Sequence, residues 1–220
     1  MNAPALPPGC TEVTLGGALQ LGAFLGVPEG AKGLVIFAHG SGSGRMSPRN
    51  NYVAERLRDA GLATLLLDLL SRAEEADRAN VFDIDLLASR LRVAVDWAAQ
   101  YPETAVLRPV YFGASTGGGA AIRAAAGDPR IAAIVSRGGR PDLAGMRPLA
   151  TVRAPTLLIV GSLDGVVIDL NRAAAEAMTC ERRLAIVPGA GHLFEEPGTL
   201  DEVVRLATDW FIDHLKEDER

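Results

Sequence analysis

The feature that most restricts the fold of this chain is a series of six short apolar runs, at residues 34–37, 63–67, 110–112, 131–135, 156–160 and 184–187. They are apolar at nearly every position instead of alternate ones, the pattern of strands covered on both faces of a parallel sheet. Between and after them lie segments of helical periodicity at 49–60, 83–100, 116–126, 169–178 and 200–216. Gly61 and Gly127 follow two of these segments and Pro102 a third, and both residue types are stop signals for a helix. Strand alternating with helix predicts an α/β fold, a mostly parallel doubly wound sheet with right-handed crossovers. Residues 11–15 and 19–25 alternate weakly around Gly16-Gly17, which predicts an N-terminal antiparallel hairpin. Sites in such sheets form at the carboxyl ends of the strands.

At 220 residues and 48% hydrophobic content the chain can bury one substantial core. The expectation is a single domain over residues 1–220, with frayed tails at 1–10 and 217–220. A net charge of −5, with the basic residues scattered, gives no footprint for nucleic acid or an anionic membrane surface. Residues 1–9 have neither a basic start nor a continuous apolar segment, so they read as neither secretion signal nor anchor, and cytoplasmic residence is expected. Cys10 and Cys180 make neither a disulfide framework nor a metal site. The connections are short, so no large lid domain is expected; residues 71–80 and 137–152 have room only for small flaps.

Gly113-Ala114-Ser115-Thr116-Gly117 lies where the apolar run at 110–112 meets a small-residue helical segment. A serine on a sharp strand-to-helix turn has its hydroxyl exposed at the sheet edge, and the flanking glycines let neighbouring backbone approach. Gly-rich turns of this kind also cradle phosphates. A P-loop needs a lysine after its last glycine, where this chain has Gly118-Gly119-Ala120, and a dinucleotide site needs its glycine fingerprint near the first strand. Ser115 is therefore the candidate nucleophile.

Serine needs an imidazole to take its proton. Of three histidines, His214 sits among Asp213, Lys216 and Glu217 in the last helical segment, as a solvated surface residue would. His192 follows the last strand in the loop Gly189-Ala190-Gly191-His192, at the same sheet edge as Ser115, and is the candidate base. Asp164 follows the strand at 156–160 in the turn Gly161-Ser162-Leu163-Asp164-Gly165 and is the candidate acid that orients the imidazole. Asp164 has a second reading as a helix cap; Asp169 can take that duty and free Asp164.

The chain order Ser115, Asp164, His192 is that of the serine elbow folds. With the elbow at 113–117, His39-Gly40-Ser41-Gly42-Ser43-Gly44 after the first parallel strand, Gly161-x-x-Asp164 and Gly191-His192, the sequence resembles the α/β-hydrolase superfamily over nearly its whole length. Within it the chain resembles the small lidless enzymes of dienelactone hydrolase type. Those enzymes carry a cysteine nucleophile where this chain has Ser115, so the resemblance implies a serine esterase, and it leaves lactone activity open. It also implies an oxyanion hole from the backbone N–H groups of Ser41 and Thr116, with His39 organising the loop. Arg45, Arg137 and Arg140, on loops at the carboxyl edge, are candidate contacts for an acidic substrate group.

The resulting expectation is hydrolysis of small carboxylic esters, with short acyl groups preferred and neither cofactor nor metal, the partner being a small-molecule ester. Thioesterase, lactonase or peptidase activity by the same triad stays open, as does a ligand-binding sensor on a hydrolase scaffold.

Overall fold

A computed structural model describes residues 6–216; the parts of the expected tails at 1–5 and 217–220 lie outside the described residues. The strands are β1 (Thr11–Leu15), β2 (Leu21–Gly26), β3 (Leu34–Ala38), β4 (Ala63–Leu67), β5 (Pro109–Ala114), β6 (Ile134–Arg137), β7 (Thr156–Gly161) and β8 (Arg182–Val187). The α-helices are α1 (Pro48–Asp59), α2 (Arg72–Glu75), α3 (Arg78–Phe82), α4 (Ile84–Ala98), α5 (Thr116–Ala125), α6 (Met146–Thr151), α7 (Gly165–Ala177) and α8 (Thr199–Leu215).

The strands form one sheet in the order β1-β2-β4-β3-β5-β6-β7-β8. β1 pairs antiparallel with β2, and β2 with β4; every other pairing is parallel. The expected opening hairpin and covered parallel sheet are both present. β3, β4 and β7 are buried at every position, because helices cover both faces. Leu87, Leu91, Ala94, Val95 and Ala98 of α4 join Ile122 of α5 and Ala174 of α7 on one face. Val53 and Leu57 of α1 join Val203, Trp210 and Phe211 of α8 on the other. Burying each large side chain contributes about 1.5–3 kcal/mol.

The helix starts are locally encoded. Ser47 Oγ accepts the Asn50 N–H and Pro48 opens α1; Asp83 accepts the Leu86 N–H to open α4, each satisfying an amide the helix cannot. The two expected flaps are short helical pieces: α2 and α3 after β4, and a 3₁₀ turn Pro141–Ala144 followed by α6 after β6. No large lid covers the carboxyl edge of the described sheet.

Three departures from expectation bear on the site and the core. α7 starts at Gly165, four residues before Asp169, which lies exposed inside the helix and pairs with Arg172. β6 begins at Ile134, three residues into the apolar run, and runs on through Ser136 and Arg137 to the sheet edge, because the parallel ladder with β5 and β7 lies there whatever the side chains. Cys10, expected in a tail, is buried against the core beside β2.

Candidate active site

Two strands meet at the turning point of the strand order. From β3 the chain crosses to β4 on one side and later to β5 on the other, so the loops after β3 and β5 face each other across a crevice. Ser115 turns β5 into α5 with φ 50° and ψ −121°. Such a conformation costs a residue with a Cβ about 1–3 kcal/mol. Three backbone bonds hold it: Ser115 N–H donates to Arg137 O (3.3 Å), and Ser115 O accepts from Gly118 N–H (3.0 Å) and Arg140 N–H (2.9 Å). Gly117 permits the close approach of α5, since a Cβ there would stand 2.0 Å from the Ala38 carbonyl oxygen. Ser115 itself is half-buried.

Asp164 and His192 are brought together: His192 Nδ1–H donates to Asp164 Oδ2 over 2.6 Å. With the proton on Nδ1, Nε2 is left as the acceptor. Asp164 immediately precedes α7, yet its side chain makes no capping bond; the carboxylate turns to the imidazole instead. Gly138 lies against the histidine loop. It follows Arg137, whose carbonyl receives the Ser115 amide, and a Cβ on it would lie 3.6 Å from His192 Nδ1. Among the described residues no hydrogen bond joins Ser115 Oγ to His192; such bonds in ligand-free sites are often long and tighten with substrate.

The loop after β3 packs on the elbow, where a Cβ at Gly40 would meet Ser115 Cβ at 3.0 Å. Thr116 N–H is among the first amides of α5, which the helix leaves unsatisfied, and Ser41 N–H has no backbone acceptor among the described residues. His39 is 6% exposed. Its Nδ1 faces Gly40 O at 3.0 Å, and its Nε2 accepts the Leu69 N–H at 3.0 Å, so the ring ties the β3 loop to the segment after β4. Burial pushes its pKa below the usual histidine value. A cleft of about 1010 Å³ opens beside these loops, lined by Ser41, Arg45, Arg49, Gln20 and Thr116 among others. It lies on the β3 and β4 side, and neither Ser115 nor His192 lines it.

The three arginines have different surroundings. Arg45 lines the cleft and is engaged by Glu12 (2.8 Å) and Asp68 (3.4 Å). Arg140 forms a two-pronged bond with Asp142 at 2.8 and 2.7 Å. Arg137 is 8% exposed with its guanidinium 5.9 Å from the centre of the Phe194 ring. Burial, with Arg49 nearby, pulls its pKa down to about 10.

Two supporting residues carried no motif. Phe194, two residues after His192, is 2% exposed and holds φ 54°, pinning the histidine loop into the core. Asn171 of α7 is fully buried, and its Nδ2 donates to Gly139 O (2.9 Å) and Val167 O (2.8 Å). A buried phenylalanine in a Gly-, Glu- and Pro-rich loop was the one available signal for Phe194; nothing local marks Asn171. Among the described residues no group of three or more His, Cys, Asp or Glu side chains is placed to hold a metal ion.

A mostly parallel sheet with a serine elbow and an Asp–His pair at one edge defines the α/β-hydrolase fold class. The chain belongs to the dienelactone hydrolase family, whose family model spans residues 21–211, and so to the α/β-type hydrolases. A dienelactone hydrolase from Anabaena variabilis, known from its crystal structure, is 54% identical. It superposes with a TM-score of 0.90 over 94% of this chain and 100% of its own. Est1E from Butyrivibrio proteoclasticus, at 16% identity and a TM-score of 0.79 over 95% of this chain and 100% of its own, shares the fold. A Mycobacterium tuberculosis protein named "Putative phosphoribosyl transferase" is 60% identical over 201 residues, 90% of this chain and 45% of that protein. The chain thus spans about half the length of the curated relatives it matches. No helix among the described residues is long and apolar enough to cross a membrane.

Proposed function

We propose that this chain is a cytoplasmic serine esterase that cleaves small carboxylic esters through an acyl-enzyme intermediate, with Ser115, His192 and Asp164 as its triad. The observation that carries this reading is the Asp164–His192 bond at the sheet edge where Ser115 stands on its strained turn. His192 Nε2 takes the Ser115 proton as Oγ attacks the ester carbonyl, and Asp164 stabilises the imidazolium. The Ser41 and Thr116 amides hold the oxyanion. The C–O bond to the alcohol then breaks, His192 returns the proton to that oxygen, and water repeats the sequence on the acyl-enzyme. With no large lid to add an apolar wall over the described sheet edge, short acyl groups are favoured.

The transferase name belongs to a protein of which this chain matches 45%, and the esterase reading concerns the matched part. Of the three arginines only Arg45 lines the cleft, so an acidic substrate group would meet it there in competition with Glu12 and Asp68, which already engage it. Equal rates for neutral and carboxylate-bearing esters, unchanged by Arg45→Ala, would remove that contact. Ser115→Ala is expected to lower turnover of a short-chain nitrophenyl ester by about a thousandfold or more with an unchanged circular dichroism spectrum. Retained turnover would refute the nucleophile, and faster cleavage of matched thioesters, lactones or aryl amides would move the activity to those classes.

A further inference from the structure

Three of the large apolar side chains that this protein exposes stand beside the Asp–His pair, two on the loops that carry it and one in the first turn of α7. Leu163 is 70% exposed, Val166 76% and Leu193 43%. Leu163 precedes Asp164, Val166 follows it by two residues, and Leu193 follows His192. The loops are joined by Leu163 N–H donating to Ala190 O (3.0 Å) and by the Asp164–His192 bond. Single exposed apolar residues need no explanation, whereas a group of them at one place marks a binding surface. The cleft on the far side of Ser115 is mixed in character, with Ser41, Arg45 and Arg49 beside Leu21, Met46 and Leu70. Charged side chains border the site toward β3 and β4, whereas the side chains that flank Asp164 and His192 on the β7 and β8 side include these three exposed apolar ones.

The chemistry decides which part of an ester meets which side. In the tetrahedral intermediate the carbonyl carbon carries Ser115 Oγ, the oxyanion, the acyl substituent and the alcohol oxygen. The oxyanion points to the Ser41 and Thr116 amides. Collapse re-forms the carbonyl, breaks the bond to the alcohol oxygen and moves the proton from His192 Nε2 to that oxygen, which must therefore lie within about 3 Å of Nε2. The carbon skeleton of the alcohol therefore starts beside His192, whose neighbours are Leu193 in sequence and, through the bond to Asp164, Leu163 and Val166.

We propose that Leu163, Val166 and Leu193 form a subsite for the leaving alcohol, and that the preferred substrates are esters of apolar alkyl or aryl alcohols. The inference rests on the triad reading above. Each methylene laid on this surface raises kcat/KM by about two- to fourfold, the range expected for partial to full burial of a CH₂ group.

The test uses ethyl, butyl and hexyl acetate, which share an acyl group and nearly equal leaving-group basicity. In the wild-type protein the hexyl-to-ethyl ratio of kcat/KM is expected to be about sixteenfold or more, four methylenes at about twofold or more each. In the combined Leu163→Ser, Val166→Ser, Leu193→Ser variant it falls toward one, while Ser115 is still labelled by a fluorophosphonate. These side chains are exposed, so the substitutions leave the core untouched. A flat wild-type series, or a ratio that survives the triple substitution, overturns the subsite and leaves the esterase reading standing. Absent labelling together with absent turnover overturns both. A wild-type dimer that the triple variant dissociates, with the ratio unaltered, assigns the patch to self-association and overturns the subsite.

Discussion

Among single residues, His39 and His192 contrast in that one imidazole is tied at both ring nitrogens and the other keeps Nε2 unengaged among the described residues. His39 is 6% exposed and bonded through both ring nitrogens, whereas the His192 side chain is 39% exposed and bonded only through Nδ1. The sign of the His39 effect on stability follows from its lowered pKa. Unfolded, it gains a proton as pH falls through about 6.5; folded, burial resists that proton. The unfolded state then binds more protons, so stability is full above that pH and declines below it, by up to about 1.4 kcal/mol per pH unit. Urea denaturation at pH 7.5 and 5.5 should show this decline, and His39→Gln, which keeps an acceptor for Leu69 N–H, should flatten it. An unchanged slope in the variant would place the effect elsewhere. At this scale the candidates Ser115, Asp164 and His192 were legible, because each lies in the turn or loop that follows an apolar strand run. Phe194 and Asn171 were not, because their roles depend on which distant segments fold against them.

At the level of elements, the segment from Arg137 to Arg140 is the joint of the site. It takes the Ser115 amide at Arg137 O and supplies the Arg140 amide to Ser115 O. It backs His192 at Gly138, and it is held by Asn171 at Gly139 O. α7 therefore positions Asp164 at its start and, two turns on, fastens the loop beneath the serine. Asn171→Leu removes both donors of a buried amide and leaves the Gly139 carbonyl without that partner, at about 1–3 kcal/mol in stability. The expected kinetic result is a fall in kcat of about tenfold with KM little changed, since loosened geometry acts on the transition state. Unaltered kcat in a variant that has lost that stability would show the joint to be structural only. The sequence placed α7 too late because Gly165-Val166-Val167-Ile168 has poor helix formers, and tertiary packing overrode that preference. That error also gave the capping duty to Asp169, when the carboxylate of Asp164 is freed by bonding to His192.

On the scale of the whole molecule, the site exists because parallel strands end together. β3, β5, β7 and β8 deliver the Ser41 loop, Ser115, Asp164 and His192 to one edge of one sheet. Strand count and alternation with helices were legible because covered strands are apolar on both faces. Strand order was not, since no local pattern states which runs are neighbours. We propose that the described residues act as one catalytic unit within the dienelactone hydrolase family. The central claim is that this edge makes one serine alone reactive. Treating the protein with a fluorophosphonate and mapping the modified peptide tests it most directly. Stoichiometric modification of Ser115, lost in His192→Ala while the fold is kept, is the result expected; modification at another residue, or at Ser115 to the same extent and rate without His192, would contradict it.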